Sequence, residues 1–474
     1  MIQDKWKVLI PVAVTIMMAT MDASITNIAF PVLARVFNTD VAVVMWVTVA
    51  FVLVSTSSIL IIGKIGDMIG RRRIFLAGIA VFSLALLACA LSGSIGQLIF
   101  FRALQAVGAA MAISCGVAIV TEAFPPQEMG KGLGFLGISV SLGFITGPII
   151  GGLLLDFFDW RSIFYMRIPL GAAAFAMAFL FLKKDSIKPG RIHLDLLGTL
   201  TSSAGIFFFV FGLSRMREYG PGSFRVLPIA ALGLALLAVF VFVERRAKNP
   251  IVDPTLFKDK VFSSAMGGLF LHFVAAPPYM LIIPFYLMLG LHLPASKAGL
   301  LMAATSVTTM FFGPISGWLS DRFGRVWFAA AGAAAAAMAF TLMLGFDLQS
   351  SVGTIALVFV LLGVGAGTFQ PANNSIIMSA VGREHLGTAS ALVATQRQVG
   401  IAVGMAVTGA LYSSWKDGYE EGLMEQGFDG ACASEMAIPL AFHDILMISI
   451  VINAVVVLLS LLPLWTKARE RLTG

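Results

Sequence analysis

The chain has 474 residues, 58% of them hydrophobic and only 12% charged, with a formal net charge of +7. A water-soluble globular domain carries about 25% charged residues, so this composition excludes a soluble enzyme or DNA-binding domain and points to a chain threaded repeatedly through a bilayer. The positive excess then reads as a topological signal, because Lys and Arg gather on cytoplasmic segments.

In chain order, the sequence opens on MIQDKWKVLIPV, a basic start without the short apolar stretch and small-residue site of a cleaved signal. The first apolar run is therefore read as a retained span. A crossing needs about 20 apolar residues at roughly 1.5 Å each, and Pro, Gly and charged loops mark the breaks. On that rule fourteen spans are predicted, at 6–30, 42–62, 74–92, 96–120, 131–155, 163–182, 195–214, 226–243, 262–289, 296–317, 326–345, 353–380, 387–412 and 443–465. With the N-terminus inside, 22 of the 32 Lys and Arg fall on inner segments, among them Lys131 and Arg383. Eight fall outside and two lie within spans, so both termini are expected on the inner side. The outer segment 413–442 carries Asp417, Glu420, Glu421, Glu425, Asp429 and Glu435 against Lys416, and is read as a solvated loop. Cys89 and Cys115 fall in apolar spans and Cys432 stands alone, so no disulfide framework is expected.

A repeat divides the chain. GKIGDMIGRRR (63–73), after the second span, returns as GWLSDRFGR (317–325) after the tenth, both in the form G-x-x-x-D-x-x-G-R. Asp67 and Asp321 are 254 residues apart, about half the chain. Two six-span halves, 1–182 and 262–474, with two further spans in 183–261, account for that offset. Gly63 and Gly70 permit a tight turn, and Asp67 near a helix start is favoured by the helix dipole. Arg71, Arg72 and, in the repeat, Arg322 are placed to bridge carboxylates of the opposing half. The functional reading is an inner gate; the plainer one is a short basic loop that obeys topology.

The duplicated loop resembles the signature loop of the major facilitator superfamily. MDASITNIAFP (21–31) resembles the first-span motif of its 14-span drug:proton antiporters, FRALQAVGAA (101–110) the fourth-span arginine motif, and GFLGISVSLGFITGPIIGG (134–152) the fifth-span antiporter motif. DWRSIFYMRIPLG (159–171) and GTFQPANNSIIMS (367–379) add to the match, which covers essentially the whole chain. The resemblance implies an all-α membrane fold of two six-helix bundles plus two additional helices between them. It also implies a monomer performing proton-driven efflux by alternating access, often of hydrophobic drugs; no cofactor or metal is expected. Two positions depart from the pattern. Ala106 stands where the family usually has Gly, and Arg167 where it usually has Asn. Arg167 is expected near the outer mouth, with Asp156 or Asp159 as its partner.

Asp22 interrupts an otherwise apolar span, where a carboxylate costs about 2.5–3.5 kcal/mol. It lies roughly 12 Å, and Arg102 roughly 9 Å, below the outer ends of oppositely directed helices. Opposite charges at similar depth make the burial of both tolerable. Asp22 is the candidate proton-coupling carboxylate, with Arg102 tuning it; a structural ion pair is the alternative. Thr26 follows Asp22 by one turn and Gln105 follows Arg102 by three residues, so both, with Asn27, are candidate pocket residues.

The fifth span carries Gly143, Gly147 and Gly151 at four-residue spacing, with Pro148 and Gly152. Small residues on one face permit close helix contact and Pro148 a bend. The resemblance puts this helix at the interface between halves, where its contacts govern which side opens. In the second half His272 is a second titratable candidate for proton coupling, though a lone histidine is more often a packing residue. Asn373 and Asn374 line a pocket or bond between helices. Arg397, beside Gln396 and Gln398, sits at mid-span with no obvious carboxylate at its depth, so substrate contact and pairing across a gate are both open. Asp22 against Arg102 and Arg397 makes the cavity neutral to slightly basic, and zwitterionic or anionic amphipaths are expected beside cations.

The sequence contains no phosphate-binding loop, no H-E-x-x-H and no clustered His or Cys, which speaks against an enzyme or an ATP-driven pump. The expected protein is a secondary transporter of the plasma (inner) membrane. Its partners are an amphipathic small molecule, protons and the lipid bilayer, with no nucleic acid. A lipid or amphipath flippase, or a uniporter in which Asp22 is structural, is the runner-up.

Overall fold

The computed structural model describes residues 2–39, 41–125, 128–183, 196–215, 226–246, 254–347, 349–382 and 386–473. Among these residues the regular structure is helical, without strands. The first stretch holds α1 (Ile2–Ile28), α2 (Phe30–Val36), α3 (Val41–Ile69), α4 (Arg71–Ala90), α5 (Ile95–Ala123), α6 (Met129–Phe157), α7 (Ser162–Tyr165) and α8 (Arg167–Phe181). Then come α9 (Leu196–Ser214) and α10 (Leu227–Arg246). The remainder forms α11 (Lys260–Ala275), α12 (Pro277–Phe285), α13 (Ala295–Phe323), α14 (Arg325–Met343), α15 (Val352–Ser379), α16 (Leu386–Glu425) and α17 (Gly430–Thr473).

Long unbroken helices are what lipid demands, because backbone N–H and C=O groups have no water to bond and must be satisfied within the segment. Eleven helices among the described residues are long and apolar enough to cross a membrane. The expected spans 42–62 and 195–214 fall on α3 and α9, whose apolar runs Val43–Ile59 and Leu200–Leu213 are shorter, and 387–412 falls on α16, outside the eleven. Lys184, Lys188, Arg191, Arg217, Arg225, Lys248 and Arg383, used for topology, lie outside the described residues.

The chain forms two compact units, Met1–Phe207 with His292–Ala303, and Phe208–Leu291 with Ala304–Gly474. In the first, α4 lies against α5 at a pair of facing glycines. A Cβ on Gly78 would come 2.9 Å from the Gly108 carbonyl oxygen, and one on Gly108 2.9 Å from that of Gly78. The second unit repeats the device between α14 and α15, where the corresponding distances for Gly332 and Gly365 are 2.8 and 2.9 Å. Gly78 and Gly332 are 254 residues apart, the offset already seen between Asp67 and Asp321. Gly70 (φ +117°) and Gly324 (φ +109°) turn the chain into α4 and α14 in a conformation open to glycine and strained for other residues. The repeat legible in one loop therefore extends to helix packing.

Each unit has its own apolar core, around Val12, Phe75, Ile79 and Ala112 in the first and Phe262, Leu269, Ala333 and Phe369 in the second. Leu84, Phe100, Phe179, Phe311 and Val451 are exposed, as expected where acyl chains are the solvent.

The segment 413–442 departs from the expected loop. α16 runs on to Glu425, Gly427 turns the chain at φ +91°, and α17 begins at Gly430. Ala433, Ala437 and Ala441, one turn apart, are buried. Lys416 pairs with Glu420 one turn on at 2.8 Å. The Tyr419 hydroxyl donates to Asp444 at 2.6 Å, and this bond holds the phenol above its ordinary range. Charge here marks the wet face of a helical hairpin, because Glu and Lys favour helix as readily as they favour water.

Candidate coupling and transport site

The residues with the most chemistry meet inside the first unit. Asp22 of α1 is fully buried, as are Arg102 and Gln105 of α5 and Arg167 at the start of α8. Arg102 Nη1 donates to Asp22 Oδ2 at 2.5 Å and to Gln105 Oε1 at 2.7 Å, while its Nε donates to the Val47 carbonyl of α3 at 3.1 Å. Gln105 Nε2 donates to Asp22 Oδ1 at 2.9 Å. The Arg102 guanidinium also lies 4.5 Å from the centre of the Phe51 ring. The pairing expected from depth alone is present.

Arg167 corrects the expectation of a partner at the outer mouth. Its Nη1 donates to Asp22 Oδ1, and its Nε donates to the Ile163 carbonyl at 2.9 Å. Asp159 pairs with Arg161 at 2.9 Å instead. Asp156 accepts the backbone N–H groups of Ala295 and Ser296 at 2.9 Å each, capping α13. The cluster thus sets two guanidinium groups against one carboxylate, a buried net charge of +1. One Nη2 on each arginine has no hydrogen-bond partner. Asp156→Ala is expected to lower stability by about 0.5–2 kcal/mol through loss of the cap. The check is the thermal midpoint in detergent, with the exposed Asp159→Ala as the small-effect control.

Thr26, Asn27 and Gln105, expected on a pocket wall, are buried in this cluster or beside it. Thr26 bonds the Asp22 carbonyl at 2.8 Å, and Asn27 Oδ1 accepts from Thr48 at 3.3 Å. Gly143, Gly147 and Gly151 face α1. A Cβ on Gly143 would lie 2.6 Å from the Met17 oxygen, one on Gly147 3.0 Å from the Met21 oxygen, and one on Gly151 2.5 Å from Ile25. The stripe expected at an interface between halves therefore clamps the helix that carries Asp22, because a four-residue period keeps to one face. Gly152 differs, its Cβ position lying 2.7 Å from the Ala295 carbonyl carbon, and Gly299 comes equally close to Pro148.

The duplicated stretches are not loops but helical up to Ile69 and Phe323, with Asp67 in the last turn of α3 rather than near a helix start, and their side chains have local partners. Arg71 pairs with Glu122 of α5 at 2.5 Å, and Arg72 donates to the Phe179 carbonyl at 2.8 Å. Gly63, Lys64, Arg71, Ser114 and Cys115 line a cleft of about 240 Å³. In the repeat Asp321 accepts from Arg325 at 2.9 Å and Arg322 lies 4.7 Å from the Trp318 ring. The Asp67 side chain is outside the described set.

In the second unit His272 is buried, its ring 4.5 Å from that of Phe369, and its Nδ1 has no hydrogen-bond partner. Asn373 Nδ2 donates to the Ala265 carbonyl at 3.0 Å and Gln396 Nε2 to that of Met266 at 3.1 Å, tying α15 and α16 to α11. Asn374 Oδ1 is buried without a partner. Gln398 is half-buried and Arg397 is exposed.

The sequence matches the family model described as the Major Facilitator Superfamily over residues 12–254 and 261–471. It is 30% identical over 418 residues to the riboflavin transporter RibZ of Clostridioides difficile, covering 87% of this chain and 89% of that one. Against the tetracenomycin C resistance and export protein of Streptomyces glaucescens the identity is 29%, over 86% and 76% of the two chains. Against the multidrug resistance protein Stp of Mycobacterium tuberculosis it is 30%, over 86% and 76%. Among solved structures, the fold is similar to an inward-facing bacterial homolog of the human lysosomal transporter Spinster, with a TM-score of 0.66 and 18% identity over 96% and 97% of the chains. A POT family transporter bound to a peptide gives a TM-score of 0.70 and 16% identity over 96% and 95%. A multi-pass helical membrane chain with a half-length repeat, matched along nearly its whole length by this family, is a member of the major facilitator superfamily.

Proposed function

We propose that the protein is a proton-coupled exporter of amphipathic small molecules that works by alternating access. In this reading fourteen helices span the plasma (inner) membrane, both termini are cytoplasmic, and the chain works as a monomer. The observation that carries it is the Asp22 cluster. A carboxylate on α1 at mid-span, joined to α5 and α8 by two arginines and a glutamine, ties the ionisation of one group to the mutual placement of those three helices. While Arg102 and Arg167 both hold Asp22, a proton arriving there would leave two buried cations without a counter-charge, so the carboxylate stays empty. Movement of α5 or α8 away from α1 removes that obstacle and lets the carboxylate load. Relatives named for multidrug resistance and drug export support the direction of transport.

The completeness of the same cluster favours a second reading. Two ion pairs on a fully buried aspartate are also what a fixed joint between α1, α5 and α8 would have. The protein would then be a uniporter or flippase of the same fold, in keeping with a relative named simply as a riboflavin transporter.

Purified protein in liposomes with an imposed pH gradient and an internal pH dye separates the two. The informative variant is Asp22→Asn combined with Arg167→Gln, which removes the titratable group while keeping the cluster at +1. Antiport through Asp22 requires that a compound discharge the gradient through the wild type and not through the double variant. Compound movement without proton movement, or equal discharge by the variant, assigns the cluster to structure.

A further inference from the structure

We infer that the transported molecule carries an acidic group and that Arg397 is its docking point, a deepening that rests on the export reading above. The argument begins with the charges available inside the spans. The apolar stretches 261–320, 326–346, 352–382, 386–416 and 445–468 contain no Asp or Glu. In the first unit the mid-span acid is Asp22, and it is closed off at 0% exposure between two arginines. The recruitment of Arg167 to that cluster leaves Asp22 fully occupied, and Asp444, at the very start of the 443–465 span, is bonded by the Tyr419 hydroxyl. A lipophilic cation therefore finds no open carboxylate along these stretches.

Arg397 is the complement of that absence. It lies in the part of α16 expected to span, is exposed, and makes no hydrogen bond, ion pair or ring contact with the described residues. A bare guanidinium facing acyl chains is costly, and mid-span cations accordingly face water-filled paths. The neighbouring exposed positions on the same helix face are Ser390 and Ala394. Faces turned to lipid carry bulk instead, as Leu440, Val451 and Leu458 do on α17. Arg397 is also well braced. Gln396 beside it is tied to the Met266 carbonyl of α11, and Gly400 one turn on sits against α11, where a Cβ would lie 2.9 Å from the Phe270 oxygen. A fixed backbone presenting a free planar fork with five donors suits a carboxylate, sulfonate or phosphate on an apolar body.

The test measures equilibrium binding to the full chain in nanodiscs, without a pH gradient. Three probes share one apolar body: pyrenebutyrate, pyrenebutanol and pyrenebutyl-trimethylammonium. Wild type should bind the butyrate roughly tenfold more tightly than the other two. Arg397→Gln should erase that preference while leaving the alcohol unchanged, and Arg397→Lys should retain part of it. Because the side chain is exposed, both variants should keep the wild-type thermal midpoint. Preference for the ammonium, or a butyrate affinity that is negligible or indifferent to Arg397→Gln, overturns the assignment. The gradient assay fails independently. Butyrate bound through Arg397 without proton exchange would sink the export reading and leave this site standing, whereas proton-coupled flux untouched by Arg397→Gln would do the reverse.

Discussion

Asp22→Asn alone is expected to be the most damaging exchange in the first unit, costing about 3–5 kcal/mol. The reason is charge bookkeeping inside a dry core. Removing the one carboxylate leaves Arg102 and Arg167 buried side by side at 0% exposure, each deprived of its counter-ion. The same arithmetic makes Arg167→Met mild, within about 1 kcal/mol of wild type and of either sign. That exchange takes the cluster from +1 to neutral, keeps the Arg102–Asp22–Gln105 contacts, and fills the space with an apolar chain of similar reach. Arg102→Met should fall between the two, because the Val47 carbonyl and Gln105 Oε1 lose their donor. Thermal unfolding of the three variants in one detergent gives the order. Equal damage from Asp22→Asn and Arg167→Met would mean that the cluster is held by packing rather than by charge balance.

Gly143→Ala should be nearly as severe, and for a different reason. The added carbon would lie 2.6 Å from the Met17 oxygen and 2.8 Å from the Met21 nitrogen, which are main-chain atoms of α1 that no rotamer change can move. Overpacking of this kind costs about 1–3 kcal/mol. It also pushes α1, and Asp22 with it, off α6, so transport should fall further than stability. Gly137, two turns earlier on α6, has nothing within 4 Å of its Cβ position. Gly137→Ala should therefore stabilise the helix by about 0.4–1 kcal/mol. A Gly143→Ala protein that melts and transports like Gly137→Ala would show that α1 and α6 are not in this contact in the membrane.

What the sequence disclosed was whatever depends on period and depth. Asp22 and Arg102 could be matched because both lie well inside long apolar runs, so counting residues from their outer ends placed them at one level. Arg167 escaped the same count. It sits only five residues from the start of its helical run, and depth measured at the main chain ignores how far an arginine side chain reaches. The glycines of α6 were found by spacing, but spacing names a face without naming the neighbour, and the neighbour proved to be α1. In 413–442 the acidic residues were read as a loop because charge and loop usually coincide. Their one-turn pairing, Lys416 with Glu420, was the signal of helix that the charge count hid. The glycine pairs Gly78–Gly108 and Gly332–Gly365 were visible in principle, since they keep nearly the offset of the duplicated loop, but a single glycine in an apolar helix carries no mark of its partner.

The continuity of α16 has a mechanical side. Its 40 residues make a rod about 60 Å long, roughly twice the thickness of the hydrocarbon core. Arg397 rides in its N-terminal third and the turn at Gly427 follows its C-terminal end. A rod converts small rotations into large displacements, so a tilt of about 5° pivoting near Arg397 would swing the far tip by about 4 Å. Cys432 lies just past that tip, in the first turn of α17, and is exposed, while Cys89 and Cys115 are buried. The native chain thus carries one accessible thiol just beyond the end of its own lever, and a spin label or fluorophore placed there would register events at the guanidinium from a distance.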